Sequence, residues 1–293
     1  MRRGAPLVEG RWLSRFSLSG ILSCAIIVIC TATCGDGGAT DLDPNLIPTT
    51  GEWYRPGVAV TWQWQLQGMV NTTYEVDLYD IDLFETPATL IASLQASGKR
   101  VICYFSAGSF EGFRPDAAGF RSLDLGNPLD GFPDERWLDI RSASVLAIMR
   151  SRLDMARGKG CDGVDPDNMD GYTNDTGFNI TAGDQLTYNR TIANEAHERG
   201  LSVGLKNDLD QVSDLVAFFD FQVNEQCHEY DECDALDAFI VAGKPVFNAE
   251  YDSQWVSSAG ARAQLCAAAR ARDFRTLILP LGLDDSFRFS CDS

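Results

Sequence analysis

Three carboxylates stand close together in the segment GVDPDNMDGY, residues 163–172. Asp165, Asp167 and Asp170 would repel one another if all three were ionised at short range, so a packed chain gains little stability by gathering them. Such a cluster is typical of a site that binds a ligand or does chemistry. The residue types around it restrict which chemistry that is.

Polar side chains also end four other short apolar runs of the chain. If these runs are parallel strands of a barrel, their carboxyl ends meet at one face, where residues just past strand ends do chemistry. A single polar residue there is more often a solvated strand end, but polarity at five consecutive ends indicates a site. The candidates are Tyr104, Ser106, Asp165, Asp167, Asn168, Lys206, Asn207, Asp208, Asn224, Glu225, Asn248, Glu250 and Asp252.

Several kinds of site are disfavoured by the residues available. The sequence contains only two histidines, His197 and His228, and His197 lies in a helical pattern. Few residues are therefore available to act as the histidine of a Ser-His-Asp triad. No GxSxG, HExxH or P-loop motif occurs. An EF-hand is disfavoured because Met169 falls where an oxygen ligand should stand. A divalent metal held by the three Asp residues of the cluster is a minority alternative, and we expect no cofactor.

Paired carboxylates beside aromatic side chains favour glycoside hydrolysis. That reaction needs one carboxylic acid to protonate the leaving oxygen and a second carboxylate opposite it. Aromatic residues could supply apolar faces for sugar rings, although packing in the core is their commoner fate. They are Trp62, Trp64, Tyr79, Tyr104, Tyr172 and Tyr251.

The elements that must position these residues follow from the apolar pattern. Eight strand candidates cover residues 60–66, 73–79, 100–108, 163–168, 201–208, 218–225, 245–252 and 275–282, and five helix candidates cover 87–98, 143–160, 184–200, 234–244 and 261–273. Helices that end in Gly just before a strand are typical of parallel α/β proteins. We therefore predict an α/β fold, a single (β/α)8 TIM-like barrel. A doubly wound open sheet is the alternative, but no GxGxxG follows the first strand.

Two connections of the predicted barrel are irregular. The first β-β connection is too short for a full helix, and residues 107–142 form a long Gly/Pro-rich loop after strand three. So long a loop inside a compact domain is usually functional.

Residues 1–34 differ from the rest of the chain. Four Arg residues precede the apolar run LSGILSCAIIVIC and the small-residue exit TATC, a pattern that predicts a secretory signal. Cys34 also resembles a bacterial lipoprotein attachment point, so the chain is expected to be secreted or anchored to the cell envelope by a lipid. Residues 35–56, rich in Gly, Asp, Pro and Thr, predict a linker, which leaves residues 57–293 as the domain.

Cysteine content agrees with export. Outside the leader six cysteines remain, an even number that predicts disulfides in an oxidising compartment. We predict Cys227–Cys233 from their proximity, then Cys103–Cys161 near strands three and four, which leaves Cys266–Cys291. A zinc site is the rival interpretation, but no CxxC occurs and CHEYDEC has the wrong spacing.

The formal net charge of −18 disfavours nucleic acid as a partner, since phosphate binding needs a basic face. It fits either solubility or the attraction of a cationic ligand.

From WQWQLQG at residue 62 to LGLDDS near residue 286, the chain resembles glycoside hydrolase family 114, the endo-α-1,4-polygalactosaminidases. The segments that carry the resemblance are VICYFSAGSFEGFRPD, GFPDERWLDIRS, GCDGVDPDNMDGY, VGLKND and QVNEQCHEYDEC. The resemblance implies a TIM-like barrel that cleaves α-1,4-linked galactosamine polymers without a cofactor. It also implies that the paired acids are Asp167 in DPDN and Glu225 in NEQC.

The strand-end pattern leads to the same pair, because Asp167 and Glu225 follow strands four and six and could flank one bond at a barrel rim. We expect Asp167 to be the nucleophile and Glu225 the acid/base, with Glu250 as the rival acid. Residues expected to bind or orient substrate are Tyr104, Asp165, Asn168, Asp170, Tyr172, Lys206, Asn207, Glu250, Tyr251 and Asp252.

The expected partner is a cationic or amino-sugar polysaccharide in an acidic groove, with Asp170, Asp208, Asp252 and Glu111 available to pair with its amines. Two alternatives stay open at this point. One is a hydrolase of another α-linked glycan, and the other is a carbohydrate-binding barrel that has lost catalysis.

Overall fold

The fold is seen in a computed structural model that describes residues 42–292. The predicted signal at residues 1–34, including Cys34, and the first seven residues of the predicted linker lie outside the described residues. Within residues 42–292, none of the helices has both the length and the apolar character needed to cross a bilayer.

Twelve strands and seven α-helices make up the described part of the chain. The strands are β1 (Trp62–Gln65), β2 (Leu78–Asp82), β3 (Arg100–Ser106), β4 (Ser109–Glu111), β5 (Leu125–Leu129), β6 (Phe132–Leu138), β7 (Gly163–Asp167), β8 (Ser202–Lys206), β9 (Phe221–Glu225), β10 (Val246–Glu250), β11 (Arg275–Ile278) and β12 (Phe289–Ser290). The helices are α1 (Ala88–Ala96), α2 (Ala143–Lys159), α3 (Ala182–Glu198), α4 (Val212–Leu215), α5 (Asp237–Val241), α6 (Ser253–Ser257) and α7 (Ala259–Ala271).

The large sheet has the order β1-β2-β3-β7-β8-β9-β10-β11-β12, and all of its pairs are parallel except the last. The ring of Trp62 in β1 lies 5.0 Å from that of Phe247 in β10. Its Nε1 donates to the carbonyl oxygen of Arg275 in β11 at 2.7 Å. Because strands from opposite ends of the pairing order touch, the sheet is curled. The predicted α/β class is confirmed, with a mostly parallel sheet that curls.

The helical layer is less regular than the sheet. Between successive strands of the large sheet from β2 to β11, each connection contains an α-helix, although α4 and α5 are very short. The connection from β1 to β2, residues 66–77, has no helix. The predicted long loop contains the three-stranded antiparallel sheet β4-β6-β5. The second strand was expected at residues 73–79 but lies at Leu78–Asp82. Asp80 and Asp82 are therefore part of this strand.

Alternation of side chains along the strands builds two hydrophobic cores, since successive residues of a strand point to opposite faces. On one face, Trp62, Ile102 and Phe221 belong to a core that fills the curl of the sheet. On the other face, Val101 and Val203 belong to a larger core that the helices share. The parallel strands of the large sheet are therefore packed on both faces, which fixes the positions of their carboxyl ends.

Local signals fix the ends of the two longest helices. Gly160, with φ of 89°, ends α2 in the left-handed conformation that glycine adopts at low cost. Thr181 and Asp184 form a reciprocal capping box at the start of α3. The first boundary lies just before the start of β7, and the second lies at the end of the loop that follows β7.

All three predicted disulfides are present. Cα separations are 6.1 Å for Cys103–Cys161, 4.8 Å for Cys227–Cys233 and 4.8 Å for Cys266–Cys291. The first joins β3 to the segment just before β7, the second braces the loop after β9, and the third ties α7 to the end of β12. Each restricts the unfolded chain and so favours the folded state.

The described part of the predicted linker contacts the domain. The ring of Trp53 stacks on His197 at 4.0 Å, and its Nε1 donates to Asp220 at 3.0 Å. Asn194 donates to the carbonyl of Ile47 at 2.9 Å. These contacts hold this segment against α3 and the start of β9.

Candidate active site

A groove lies at the carboxyl ends of the parallel strands, where a site was predicted. It consists of a cavity of about 700 Å³ and a second of about 260 Å³. Four residues, Phe132, Asp167, Lys206 and Glu225, line both cavities. The two predicted catalytic acids therefore stand where the cavities meet.

Asp167 ends β7 with its carboxylate surrounded by donors. Tyr104 donates its hydroxyl to Oδ2 at 2.7 Å, and the backbone N–H of Asn168 donates to Oδ1 at 2.7 Å. The Lys206 ammonium lies 3.5 Å from Oδ1. About a fifth of the side chain, 20%, remains exposed to the groove. This environment suits an anionic nucleophile that a substrate can still reach.

Glu225 ends β9 in a comparable frame. Tyr251 donates to Oε1 at 2.6 Å, and Asn207 Nδ2 donates to Oε2 at 3.2 Å. Asn207 adopts a left-handed φ of 47°, and its Oδ1 accepts from the backbone N–H of Glu225 at 2.9 Å. A residue in an unfavourable backbone conformation that braces one carboxylate is typical of a functional site.

Lys206 is the buried cation between these acids. Its nitrogen lies 3.8 Å from Glu225 and 3.5 Å from Asp165, and 4.4 Å from the centre of the Trp64 ring. Burial by itself lowers the pKa of this ammonium, but the surrounding carboxylates outweigh burial and hold the pKa above its ordinary value. Lys206 therefore stays charged and holds the pair in place.

Asp165 forms a buried pair with Asp80, which was not among the predicted site residues. The two side chains are close enough to influence each other's pKa, and neither Asp80 Oδ1 nor Asp165 Oδ1 has a hydrogen-bond partner in the described part of the chain. Burial and the Asp165 charge raise the pKa of Asp80 well above its ordinary value, and burial raises that of Asp165 to about 7. Both shifts favour the neutral form of the carboxyl groups, and one proton shared by the pair would satisfy the two orphaned oxygens.

Asn168 connects Asp167 to the loop after β3. Its Nδ2 donates to Ser106 Oγ at 2.9 Å, and its φ is 60°. Gly108 sits so close that a Cβ there would lie 1.7 Å from the carbonyl oxygen of Asn168. Only glycine allows this approach, which brings β4 and the hairpin β5–β6 to the groove.

Three further predicted residues lie around the smaller cavity or behind it. Asp170 lines this cavity, and burial followed by the Asp167 charge raises its pKa to about 6. Tyr172 hydrogen-bonds Asp208 instead of lining either cavity. Burial raises the pKa of Asp208 to about 7, and Asn189 donates to it at 2.8 Å.

Two predicted residues of β10 and its loop lie away from the groove. Glu250 is fully buried, lines neither cavity and accepts from the backbone N–H of His228 at 2.9 Å. Asp252 caps α6 by accepting from Gln254 at 2.8 Å. Asn224 and Asn248 are buried and hydrogen-bond each other at 3.0 Å. Among the predicted residues at the end of β10, only Tyr251 contacts one of the two predicted catalytic acids, because its hydroxyl donates to Glu225.

Carboxylates dominate the groove. Asp82, Glu85 and Glu111 line the larger cavity together with Glu135, while Arg114 contacts Asp82 and Glu111 at 2.7 Å each. Glu111 and Asp170 were expected to pair with substrate amines and do line the groove, whereas Asp208 and Asp252 do not.

Several residues in or behind the groove were not predicted, although the sequence contains signals for them. The alternation in LYDID could have placed Asp80 and Asp82 on one face of a strand. Glu135 and Phe132 lie in GFPDERWLDIRS, a segment that carries the family resemblance, but no role was assigned to it.

The metal alternatives find little support in residues 42–292. The ammonium of Lys206 occupies the space between Asp165 and Asp167 where a divalent ion would have to lie. The one group of three clustered candidate ligand side chains within this range is Cys227, His228 and Cys233, and its two cysteines are joined in a disulfide.

A curled parallel α/β sheet with two carboxylates in a groove at its strand ends is an arrangement that glycoside hydrolases use. Comparison with known proteins gives the family. The model of Glycoside-hydrolase family GH114 matches residues 44–293. The chain belongs to this family and is a glycoside hydrolase.

Solved structures agree with this assignment. A crystal structure of Ega3 from Aspergillus fumigatus in complex with galactosamine is 43% identical, covers 83% of this chain and 99% of that chain, and has a TM-score of 0.79. The glycoside hydrolase domain of PelA from Pseudomonas aeruginosa is similar in fold, with 15% identity, a TM-score of 0.59 and coverage of 77% of this chain and 96% of that one. Among curated proteins no match was found.

Proposed function

We propose that this chain is an endo-acting hydrolase of α-1,4-linked, galactosamine-containing polysaccharide, built on a (β/α)8-type barrel. The observation that carries the proposal is the charge of the groove, which seven carboxylates line against the two cations Arg114 and Lys206. A polymer that carries ammonium groups complements such a surface. The complex of the similar Ega3 with galactosamine supports the same substrate class.

The proposed chemistry uses Asp167 and Glu225. Asp167 attacks the anomeric carbon while Glu225 protonates the leaving oxygen, and Glu225 then activates a water that hydrolyses the glycosyl-enzyme. Because Oδ1 of Asp167 and Oε2 of Glu225 lie 3.5 and 3.8 Å from one nitrogen, they are at most about 7.3 Å apart. This upper limit is compatible with the separation of roughly 5 Å between the two carboxyl groups of retaining enzymes. It excludes most of the range of about 6.5–9.5 Å that inverting enzymes show. We therefore favour retention of configuration.

The position of the acids within the groove supports cleavage inside the chain. Each cavity has further lining residues that the other does not, among them Leu66 and Leu281 in the larger cavity and Trp137 and Asn174 in the smaller one. Sugar units can thus extend on both sides of the bond that is cut. A pocket closed at one end would instead favour release of single units.

We also propose that the enzyme acts outside the cytoplasm. The three disulfides of the described part are consistent with an oxidising compartment, and the leader with Cys34 leaves lipid anchoring as the alternative to free secretion. Expression of the full chain followed by fractionation of medium, envelope and cytoplasm tests this. Recovery of reduced protein from the cytoplasm alone contradicts it.

A substrate panel tests the activity. Purified enzyme is incubated with deacetylated α-1,4-galactosamine polymer, its N-acetylated form and a neutral α-galactan, and product lengths and anomeric configuration are followed over time. We expect oligosaccharides of intermediate length from the deacetylated polymer, with the α-configuration retained. Preferential cleavage of the neutral galactan supports a hydrolase of another α-linked glycan. Tight binding without cleavage of any polymer supports a carbohydrate-binding barrel.

A further inference from the structure

The hairpin β5–β6 brings an unassigned carboxylate to the groove wall. Glu135 lies in β6, is half-buried and lines the larger cavity. Ser109 Oγ donates to its Oε2 at 2.7 Å. Within residues 42–292 its other oxygen, Oε1, has no hydrogen-bond partner, and it is not enclosed by protein. This oxygen is therefore available to a ligand in the cavity.

A chain of hydrogen bonds fixes Glu135 relative to Asp167. Ser109 Oγ lies 2.6 Å from Ser106 Oγ, which accepts from Asn168 Nδ2 at 2.9 Å. The backbone N–H of Asn168 donates to Asp167 at 2.7 Å. The position of Glu135 is thus fixed relative to the predicted nucleophile, as recognition of a substrate group requires.

No protein cation neutralises Glu135 in the described part of the chain. Arg114, the nearest candidate in the cavity, contacts Asp82 and Glu111 at 2.7 Å each. Burial, followed by the charges of Glu111 and Asp167, raises the pKa of Glu135 to about 7 against the lowering effects of Ser109 and Arg114. A cation in the cavity would supply the charge that is missing here.

The chemistry of the substrate indicates which cation that is. In a galactosamine unit the ammonium stands on the carbon next to the anomeric carbon, so it lies close to whatever group attacks that carbon. Glu135 and Asp167 are near enough for their charges to interact. Phe132, 54% exposed on the same hairpin, adds an apolar surface for the sugar ring.

We propose that Glu135 determines specificity by binding the ammonium of the galactosamine unit whose anomeric carbon Asp167 attacks. An N-acetyl group at that position is neutral and bulkier, and it leaves the carboxylate unpaired and partly desolvated. Glu135 thus selects deacetylated units at this one position. The inference rests on the proposed function, since it presumes an amino-sugar polymer in the groove.

The test compares kcat/KM of wild type, Glu135→Gln and Asp134→Asn on fully deacetylated and on partly N-acetylated α-1,4-galactosamine oligosaccharides. Asp134→Asn is the matched control, because it removes one negative charge from the adjacent, exposed residue of the same strand, which does not line the groove. We expect Glu135→Gln to lower kcat/KM on the deacetylated substrate about tenfold or more, to change it little on bonds beside acetylated units, and so to reduce the selectivity ratio. Asp134→Asn should keep the wild-type ratio.

The ratio separates recognition from a structural role, because a loss of folded enzyme lowers both rates equally. An unchanged ratio in Glu135→Gln, with wild type active on the deacetylated substrate, contradicts this inference alone. A wild-type enzyme without activity on the deacetylated substrate contradicts the proposed function and this inference with it.

A pH profile gives a second readout. Glu111, Asp167, Tyr104 and Arg114 are the titratable groups that face Glu135, and they remain in the variant. The rise in wild-type KM as Glu135 is protonated below about pH 7 should therefore be absent from Glu135→Gln. Parallel profiles for the two enzymes contradict the proposed role.

Discussion

The ammonium nitrogen of Lys206 lies 3.5 Å from Oδ1 of Asp167. The same nitrogen is 3.8 Å from Glu225, so one buried cation touches both acids that the family resemblance implies. The cation offsets part of the repulsion between two carboxylates at short range and fixes their separation. This geometry explains how β7, β8 and β9 contribute to a single site, since each supplies one member at its carboxyl end.

Replacement of either acid should nearly abolish turnover. We expect Asp167→Asn and Glu225→Gln each to lower kcat by about 10³-fold or more, because each removes one of the two carboxylates that the reaction needs. Initial rates on deacetylated polymer measure the effect, and circular dichroism checks that the fold is intact.

Glu250→Gln is the matched control for the acid. Glu250 is the rival from the sequence, but it is fully buried and lines neither cavity. We expect this variant to keep kcat within a few-fold of wild type. The opposite outcome, a nearly normal Glu225→Gln and an inactive Glu250→Gln, would assign the acid to Glu250.

The buried Asp80–Asp165 pair makes a second prediction. Because burial and the Asp165 charge raise the pKa of Asp80 well above its ordinary value, we expect Asp80 to carry the proton of the pair, so Asp80→Asn replaces a neutral carboxyl with a neutral donor of the same shape. We expect only a few-fold change in kcat/KM and in the free energy of unfolding. Asp165→Asn removes the charge that lies 3.5 Å from Lys206 and should be much more harmful. Equal damage from the two variants would show that the proton is not held by Asp80.

Much of the sheet, and the site residues at its strand ends, could be predicted because buried strands appear in the sequence as short apolar runs. The ends of β7, β8 and β9 lie where the sequence placed them, which brought Asp167, Lys206 and Glu225 together correctly. The three disulfides also lie where they were predicted, from the proximity of Cys227 to Cys233 and from the neighbouring strands near Cys103 and Cys161, which left Cys266–Cys291. Six cysteines allow many other connections, and sequence alone does not choose among them.

The residues that were missed depend on features that periodicity does not show. Strand two was predicted too early, at TYEVDLY, because the acidic residues of LYDID interrupt the apolar run, so Asp80 fell just beyond the predicted strand. Glu135 reaches the groove through the antiparallel sheet β4-β6-β5, whose pairing depends on contacts between distant residues. Glu250 looked equivalent to Glu225 in sequence, and only its burial distinguishes the two.

Burial of Glu250 makes a third prediction, for stability against pH. Its pKa is about 7 in the folded protein against an ordinary value of 4.5, because burial disfavours its charge. Between these pH values the folded chain holds a proton that the unfolded chain has released, so stability falls as pH rises from about 4.5 to 7. The full effect is about 3 kcal/mol at most.

Urea unfolding at pH 5 and pH 8 measures this effect. We expect wild type to be less stable at pH 8 and Glu250→Gln to show a smaller difference, because a glutamine has no charge to bury. A difference as large in the variant as in wild type would assign the pH dependence to other groups.

The contact between Gly108 and Asn168 makes a fourth prediction. A Cβ at residue 108 would lie 1.7 Å from a backbone oxygen, so Gly108→Ala should shift the loop and destabilise the fold by about 1–3 kcal/mol. Displacement of Asn168 should lower kcat as well. Gly112→Ala is the control, because its nearest contact would be an ordinary 3.5 Å. Thermal unfolding and initial rates report both effects, and equal behaviour of the two variants would contradict the steric argument.

Charge complementarity makes the last prediction. Seven carboxylates against two cations line the groove, so an ammonium-bearing polymer should be attracted over several ångströms. Salt screens such attraction, and the screening length shortens to about 8 Å at physiological ionic strength. We expect kcat/KM on deacetylated polymer to fall as sodium chloride rises, mainly through KM, and to be lower and less salt-dependent on the acetylated form. A salt titration on both polymers measures this, with kcat at saturating substrate as the control for general damage. Equal rates on the two polymers without salt dependence would mean that the groove's charge does not select the substrate, and would favour a neutral α-linked glycan instead.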